Sequence, residues 1–433
     1  MLILDNCLVP YSALGLPEKA RLKVRDIDLD PVVHVTLYIN EEKVSSIEPY
    51  NGSIQQGAQD LGGTLLSPRL VDAHVHLDKA HTWDRAPNRS GTFAEALRVL
   101  GEDRLKWTEE DVYRRANYTL QCAWAYGTTA VRTHLDIGWP EAEASFSAIS
   151  KLREEWKGRI ELQAVSLASV EAYDGPNGSA LADMPVKYGA AAIGGMPVMN
   201  PHLDRQLDAL MRLATEREVA LDLHVDESGD PQALTLLAVA EAVIRNEFHY
   251  PVTCGHCCSL AVQDPELQKR VLQKVKEAGI HIISLPLCNL YLQDRFATES
   301  PKTKPAKTPF WRGVTLINEW MDQGTITACA SDNVRDAFYA YGDLDAFEVF
   351  ISSVRTAHLD NHLVRALDVV TKAPATIMEL PDHGQISVGL PARFISFPSH
   401  SYSEWLSRPQ QKRRIFERDQ WITAELPEPS ELS

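Results

Sequence analysis

The chain has no long hydrophobic run: nothing in it approaches the roughly 20 consecutive apolar residues that a membrane-spanning helix needs. Its first segment, MLILDNCLVPYSALG, has no basic region ahead of an apolar one, so no secretory leader and no membrane partner are expected, and a cytoplasmic location is. Positive charge is also short. Lys and Arg number 43 against 59 Asp and Glu, a net charge of −16. Binding to a phosphate backbone needs clustered cations, so nucleic acid is excluded as a partner and a free small-molecule substrate is expected. Cysteines are few and odd in number, seven in 433 residues. A chain of this size needs no disulfide staples. Cys254-Gly-His-Cys257 has the spacing of a zinc thiolate pair, but no second pair accompanies it, and these thiols read as small buried apolar side chains.

Short β-rich apolar runs alternate with longer amphipathic stretches. They are Arg69–Leu77, Ala130–Asp136, Glu161–Leu167, Ala191–Met196, Ala220–Asp226, Val252–Cys257, Ile280–Leu287 and Thr327–Ser331. Helical patterns such as Glu109–Tyr126 and Asp264–Ala278 fall between them. This rhythm predicts a distorted (β/α)₈ barrel of the TIM type. The flanks read differently, with extended segments broken by Pro and Gly. The expected division is a small β-sandwich from residues 1–66 and 386–433 and a hydrolase barrel over 67–385. The stretch Leu290–Arg312, containing TESPKTKPAKTP, reads as an insertion over the barrel mouth, either a lid or a floppy loop.

In such a barrel the strand C-terminal ends converge on one face. The first strand ends VDAHVHLDK, and alternation along a strand aims His74 and His76 to the same side. The fifth ends LDLHVDE, adding His224 and, just beyond it, Glu227. The sixth ends TCGHC with His256, and the eighth ends CASDN with Asp332. Three imidazoles and a carboxylate suit one divalent metal ion. Such an ion lowers the pKa of its water to about 7 and yields hydroxide at neutral pH. Asp332 then accepts a proton, Glu227 carries one to the leaving amino group, and His256 steadies the nucleophile. The fourth run, AAIGGMP, has no lysine to carbamylate as a bridge between two metals, which favours a single ion.

The motifs SPRLVDAHVHLDK, VRTHLD, LHVDE, GHCCSL, NLYLQDRF and ASDNVRD, in this order, resemble the amidohydrolase superfamily and its cytosine deaminase branch. The resemblance implies Zn²⁺ or Fe²⁺ on His74, His76, His224 and Asp332, with Glu227 as proton shuttle and His256 orienting the hydroxide. It implies a hydrolase of non-peptide carbon–nitrogen bonds that deaminates cytosine or a cytosine-like free base. Where cytosine deaminases carry a glutamine after the third strand, this chain has LASVEAY, with Ser169 or Val170 in its place. Where they carry paired aspartates it has Asp332-Asn333, and Phe338 stands for their tryptophan. Lys79 together with SDNxRD is similar instead to N-isopropylammelide isopropylaminohydrolase. The alternative activity is therefore release of a substituted amine from an aminotriazine, or opening of a cyclic amide. Lys79, Ser169, Asn333 and Phe338 are the expected substrate contacts, and a homo-oligomer is compatible with this reading.

Overall fold

In a computed structural model of the protein, residues 1–15, 22–138, 142–295 and 307–432 are described. Their contacts separate into two compact units. One comprises Met1–Asp72, Gln121–Ala130 and Asp345–Pro427. The other comprises Ala73–Leu120, Val131–Leu344 and a short stretch from Glu428. These divisions differ from the expected 66/67 and 385/386. The helix Ala346–Ala357 sits with the terminal strands because Phe347 packs 4.8 Å from Phe397 and stacks 5.2 Å from Trp405.

The terminal strands form one mixed sheet. Its order is Gln420–Ile422, Arg414–Glu417, Phe394–Phe397, Gln59–Pro68, Leu2–Pro10, Asp30–Asn40 and Val24–Asp26, with Lys43–Pro49 also paired to Asp30–Asn40. Leu2–Pro10 runs parallel to Gln59–Pro68 and antiparallel to Asp30–Asn40. Beneath Pro68, Arg69 is buried and ion-paired with Glu417. It also donates to the carbonyls of Gly127 at 3.2 Å and Thr128 at 2.7 Å.

A second sheet contains eight strands, each beside its neighbour in chain order: Leu70–Val75, Thr128–Asp136, Glu161–Leu167, Ala192–Gly195, Ala220–Val225, Val252–His256, His281–Ser284 and Thr327–Cys329. The later strands pair in parallel register, for example Leu221↔Val252 through Val225↔His256. Closure comes from a parallel bridge between Val75 and Asp332, where the Asp332 N–H donates to the His74 carbonyl at 2.9 Å. Every residue of Leu70–Val75 and Thr128–Asp136 is buried, as expected of parallel strands covered on both faces.

The connecting helices bury one stripe each. Leu203, Leu207, Leu210, Met211 and Ala214 of Leu203–Glu216 recur at helical spacing. Pro265–Glu277 starts where the Asp264 carboxylate accepts from two backbone N–H groups and Pro265 takes the first turn. Observed strands lie within two residues of their expected bounds, except that the seventh stops at Ser284 and not Leu287. Pro286 opens the helix Pro286–Leu292 there, in the first-turn position where its missing N–H costs nothing. The core of the proposed lid, residues 296–306, lies outside the described residues. All seven cysteines are buried, and none forms a disulfide. Among the described residues no helix is long and apolar enough to cross a membrane.

Candidate active site

The C-terminal ends of the barrel strands carry the predicted side chains to one place within the second unit. The Nε2 atoms of His74 and His224 face each other at 3.1 Å, and those of His224 and His76 at 3.2 Å. Asp332 Oδ1 lies 3.2 Å from His76 Nε2 and 3.6 Å from His74 Nε2. All four side chains are buried. Burial is the main force holding these three imidazoles well below their ordinary 6.5, and the charges of His134 and Lys79 add to it. They are therefore neutral, and not every Nε2 of a neutral trio can hydrogen-bond to the next. Lone pairs turned toward one another beside a carboxylate become favourable around a cation. Separations of 3.1, 3.2, 3.2 and 3.6 Å leave these atoms close enough to share one cation. The residues present fit a divalent metal.

Local backbone makes this convergence possible. A Cβ at Gly255 would lie 2.9 Å from His74 Cε1, so only glycine there leaves room for the ring. His256 and Asp332 turn out of their strands with φ of 67° and 66°, in the left-handed region that non-glycine residues seldom occupy.

Glu227 and His256 stand beside the imidazole cluster. Glu227 Oε1 is 3.4 Å from His256 Nδ1, and Asn289 Nδ2 is 3.2 Å from the same nitrogen. The amide nitrogen can only donate, so in this orientation Nδ1 accepts and the ring proton sits on Nε2. That Nε2 is buried without a partner among the described residues and groups with His74 and Asp332. Burial first, and the charge of Asp332 second, raise the Glu227 carboxyl well above its ordinary range. Burial pushes His256 down to about 3.

The expected substrate contacts line a cleft of about 180 Å³ above these groups. Lys79 is buried, 3.0 Å from Asp136 Oδ1, 3.3 Å from His76 Nδ1 and 3.9 Å from Asp78 Oδ1. Burial opposes its charge, but the two aspartates outweigh that and hold it above its ordinary value. Asn333 donates to Asp336 Oδ2 at 2.8 Å, while Phe338 lies under the Lys79 ammonium at 5.8 Å. Ser169 lines the same cleft, whereas Val170 does not.

Sequence reasoning missed three residues. His134 lies 4.0 Å from the His74 ring in a tilted stack and 3.2 Å from Asp222, whose other oxygen meets Arg132 at 3.1 Å. Both were visible as polar residues at inward strand positions, in VRTHLD and LDLH. Asn289, on the helix opened by Pro286, had no signal, because that stretch read as strand and loop.

A model described as "Amidohydrolase family" matches residues 97–414. The chain belongs to the amidohydrolase family. It is 45% identical over 376 residues to a pterin deaminase of Rhizobium rhizogenes, covering 86% of this chain and 84% of that one. It is 23% identical over 385 residues to an N-isopropylammelide isopropyl amidohydrolase of Pseudomonas sp., covering 84% and 89%. Among solved structures it matches a 5-methylcytosine deaminase from Klebsiella pneumoniae liganded with 5-fluorocytosine. The TM-score is 0.82 and the identity 26%, over 99% of this chain and 98% of that one. This amidohydrolase thus lies on the cytosine-deaminase-like branch, with the barrel and terminal sheet of that fold.

Proposed function

We propose that this amidohydrolase is a metal-dependent aminohydrolase that replaces the amino group on an amidine-type ring carbon by oxygen, acting on a free pterin before a cytosine-type base. The observation that carries it is the convergence of His74, His76, His224 and Asp332 beside Glu227 and His256. The 45% identity to a pterin deaminase supports the choice of substrate.

The three Nε2 atoms and Asp332 Oδ1 would hold the metal, zinc or iron. Bound there, it supplies hydroxide at neutral pH, by lowering the pKa of water to about 7. The His256 Nε2–H holds the attacking oxygen and stabilises charge that builds on it. Asp332 takes up the proton that the nucleophile gives away. Glu227 delivers its proton to the ring amino nitrogen, which can then depart as ammonia. Phe338, Ile137 and Leu167 present apolar surface to a flat ring and keep bulk water from the reacting carbon. Lys79 and Asn333 offer donors to a ring carbonyl or nitrogen.

Ammonia release from pterin, cytosine, 5-methylcytosine, isocytosine, creatinine and an aminotriazine by the metal-loaded protein tests this. Pterin is expected to lead in kcat/KM by about tenfold or more. No ammonia from any compound would overturn the reading, and isopropylamine from N-isopropylammelide would move it to the substituted-amine reaction. Glu227→Gln is expected to keep its metal and lose about 10²–10⁴-fold in kcat.

A further inference from the structure

One wall of the cleft is a helix. Phe93, Leu97, Leu100 and Arg104 all line it, and their spacing of four, three and four makes one stripe along Phe93–Asp103 and its C-cap. The stripe has a direction. Phe93 meets Phe338 edge to face at 5.7 Å, and Phe338 neighbours Lys79, which lies against His76. That is the reacting end. At about 1.5 Å per residue, Arg104 stands roughly 16 Å further along the helix axis. The cleft thus runs from the imidazole cluster, past apolar walls, to a guanidinium.

Neighbouring cations are already committed. Arg85 binds Asp103 and Asp111, Arg98 binds Glu95 and Glu102, and Lys106 reaches Asp103. Lys79 is held by Asp136. The Arg104 side chain makes no ion pair or hydrogen bond to the described residues, and its Nε is buried without a partner. A desolvated guanidinium nitrogen left unpaired is costly, and its planar fork matches a carboxylate. One cation at the negative C-terminal end of a helix suits a monoanion better than a doubly charged phosphate.

We propose that Arg104 determines specificity at a second subsite, which binds a carboxylate carried by the heterocycle on the side away from its amino group. This rests on the deaminase reading above. A bicyclic ring reaches further along this cleft than a single ring does.

The test compares pterin with a pterin carrying a carboxylate on its pyrazine ring, in metal-loaded wild type, Arg104→Gln and Arg104→Lys. Wild type is expected to favour the carboxylated compound in kcat/KM. Arg104→Gln should shrink that ratio by about 10- to 100-fold, chiefly through KM, and Arg104→Lys should restore part of it. Equilibrium binding of the two compounds should give the same ratio of Kd values. If wild type shows no preference, or Arg104→Gln leaves the ratio intact, the subsite is overturned while the deaminase reading stands. If neither pterin is deaminated, the deaminase reading fails and the Kd ratio decides for or against Arg104.

Discussion

Within the first unit, Arg69 is buried, yet each of its three nitrogens finds an oxygen, on Glu417, Gly127 or Thr128. Burial lowers its pKa only to about 10 because Glu417 counteracts the loss of water. In the second unit, His74, His76 and His224 are as deeply buried, but their nitrogens are aimed at one another. The contrast separates two uses of buried polarity. The first assembly is complete with protein partners and holds strands together. The second lacks such partners, and its inward-facing imidazoles suit a cation that would complete it.

Three experiments would break or sharpen that contrast. The largest effect is expected from His224→Ala, which removes the central imidazole. Metal content by elemental analysis should drop to near background and kcat/KM should fall at least about 10³-fold, a loss of about 4 kcal/mol or more. Full metal retention would mean that the three imidazoles are structural. Next, Arg69→Met should leave Glu417 without its partner and destabilise the protein by about 3–5 kcal/mol in denaturant unfolding. Metal stoichiometry of the folded fraction should not change, and a loss of metal would show that the two assemblies are not independent.

The smallest effect concerns pH. His74, His76 and His224 are held well below 6.5, and His256 near about 3. In the unfolded chain these groups bind protons more readily, so the stability they contribute is in place above about pH 6.5 and is lost as pH falls toward their folded values. Chelator-treated protein should therefore show a Tm that declines steadily between about pH 7 and pH 5. A flat profile there would count against neutral buried rings. Added zinc should raise Tm at each pH, by an amount that grows with the logarithm of free metal.

Much of the frame was legible because parallel barrels impose a strong pattern on sequence. Strands such as Ala220–Val225 carry buried Leu residues and a polar residue near the C-terminal end, and those ends hold the candidate chemistry. The four candidate ligands stood out because His, His, His and Asp occur where an apolar strand meets its loop. The rest was hidden by geometry that arises only on folding. Leu97 and Leu100 lie on an ordinary amphipathic stripe, and nothing local says that the stripe faces a cleft and not a core. His134 and Asp222 looked like inward strand residues, because their contact joins strands that are far apart in the chain. Asn289 depended on Pro286 ending a strand earlier than its apolar pattern suggested.

The backbone at His256 and Asp332 carries one more lesson. Each side chain leaves its strand through a left-handed residue, where glycine or asparagine would sit at less conformational expense. At Asp332 the same amide also latches the last strand to the first through His74. A duplicate of this protein released from any need for a metal should accordingly drift toward glycine or asparagine at those two positions, gaining ease in the chain while forfeiting chemistry. Their identity in a distant homologue would thus serve as a compact record of whether its ancestors kept the ion.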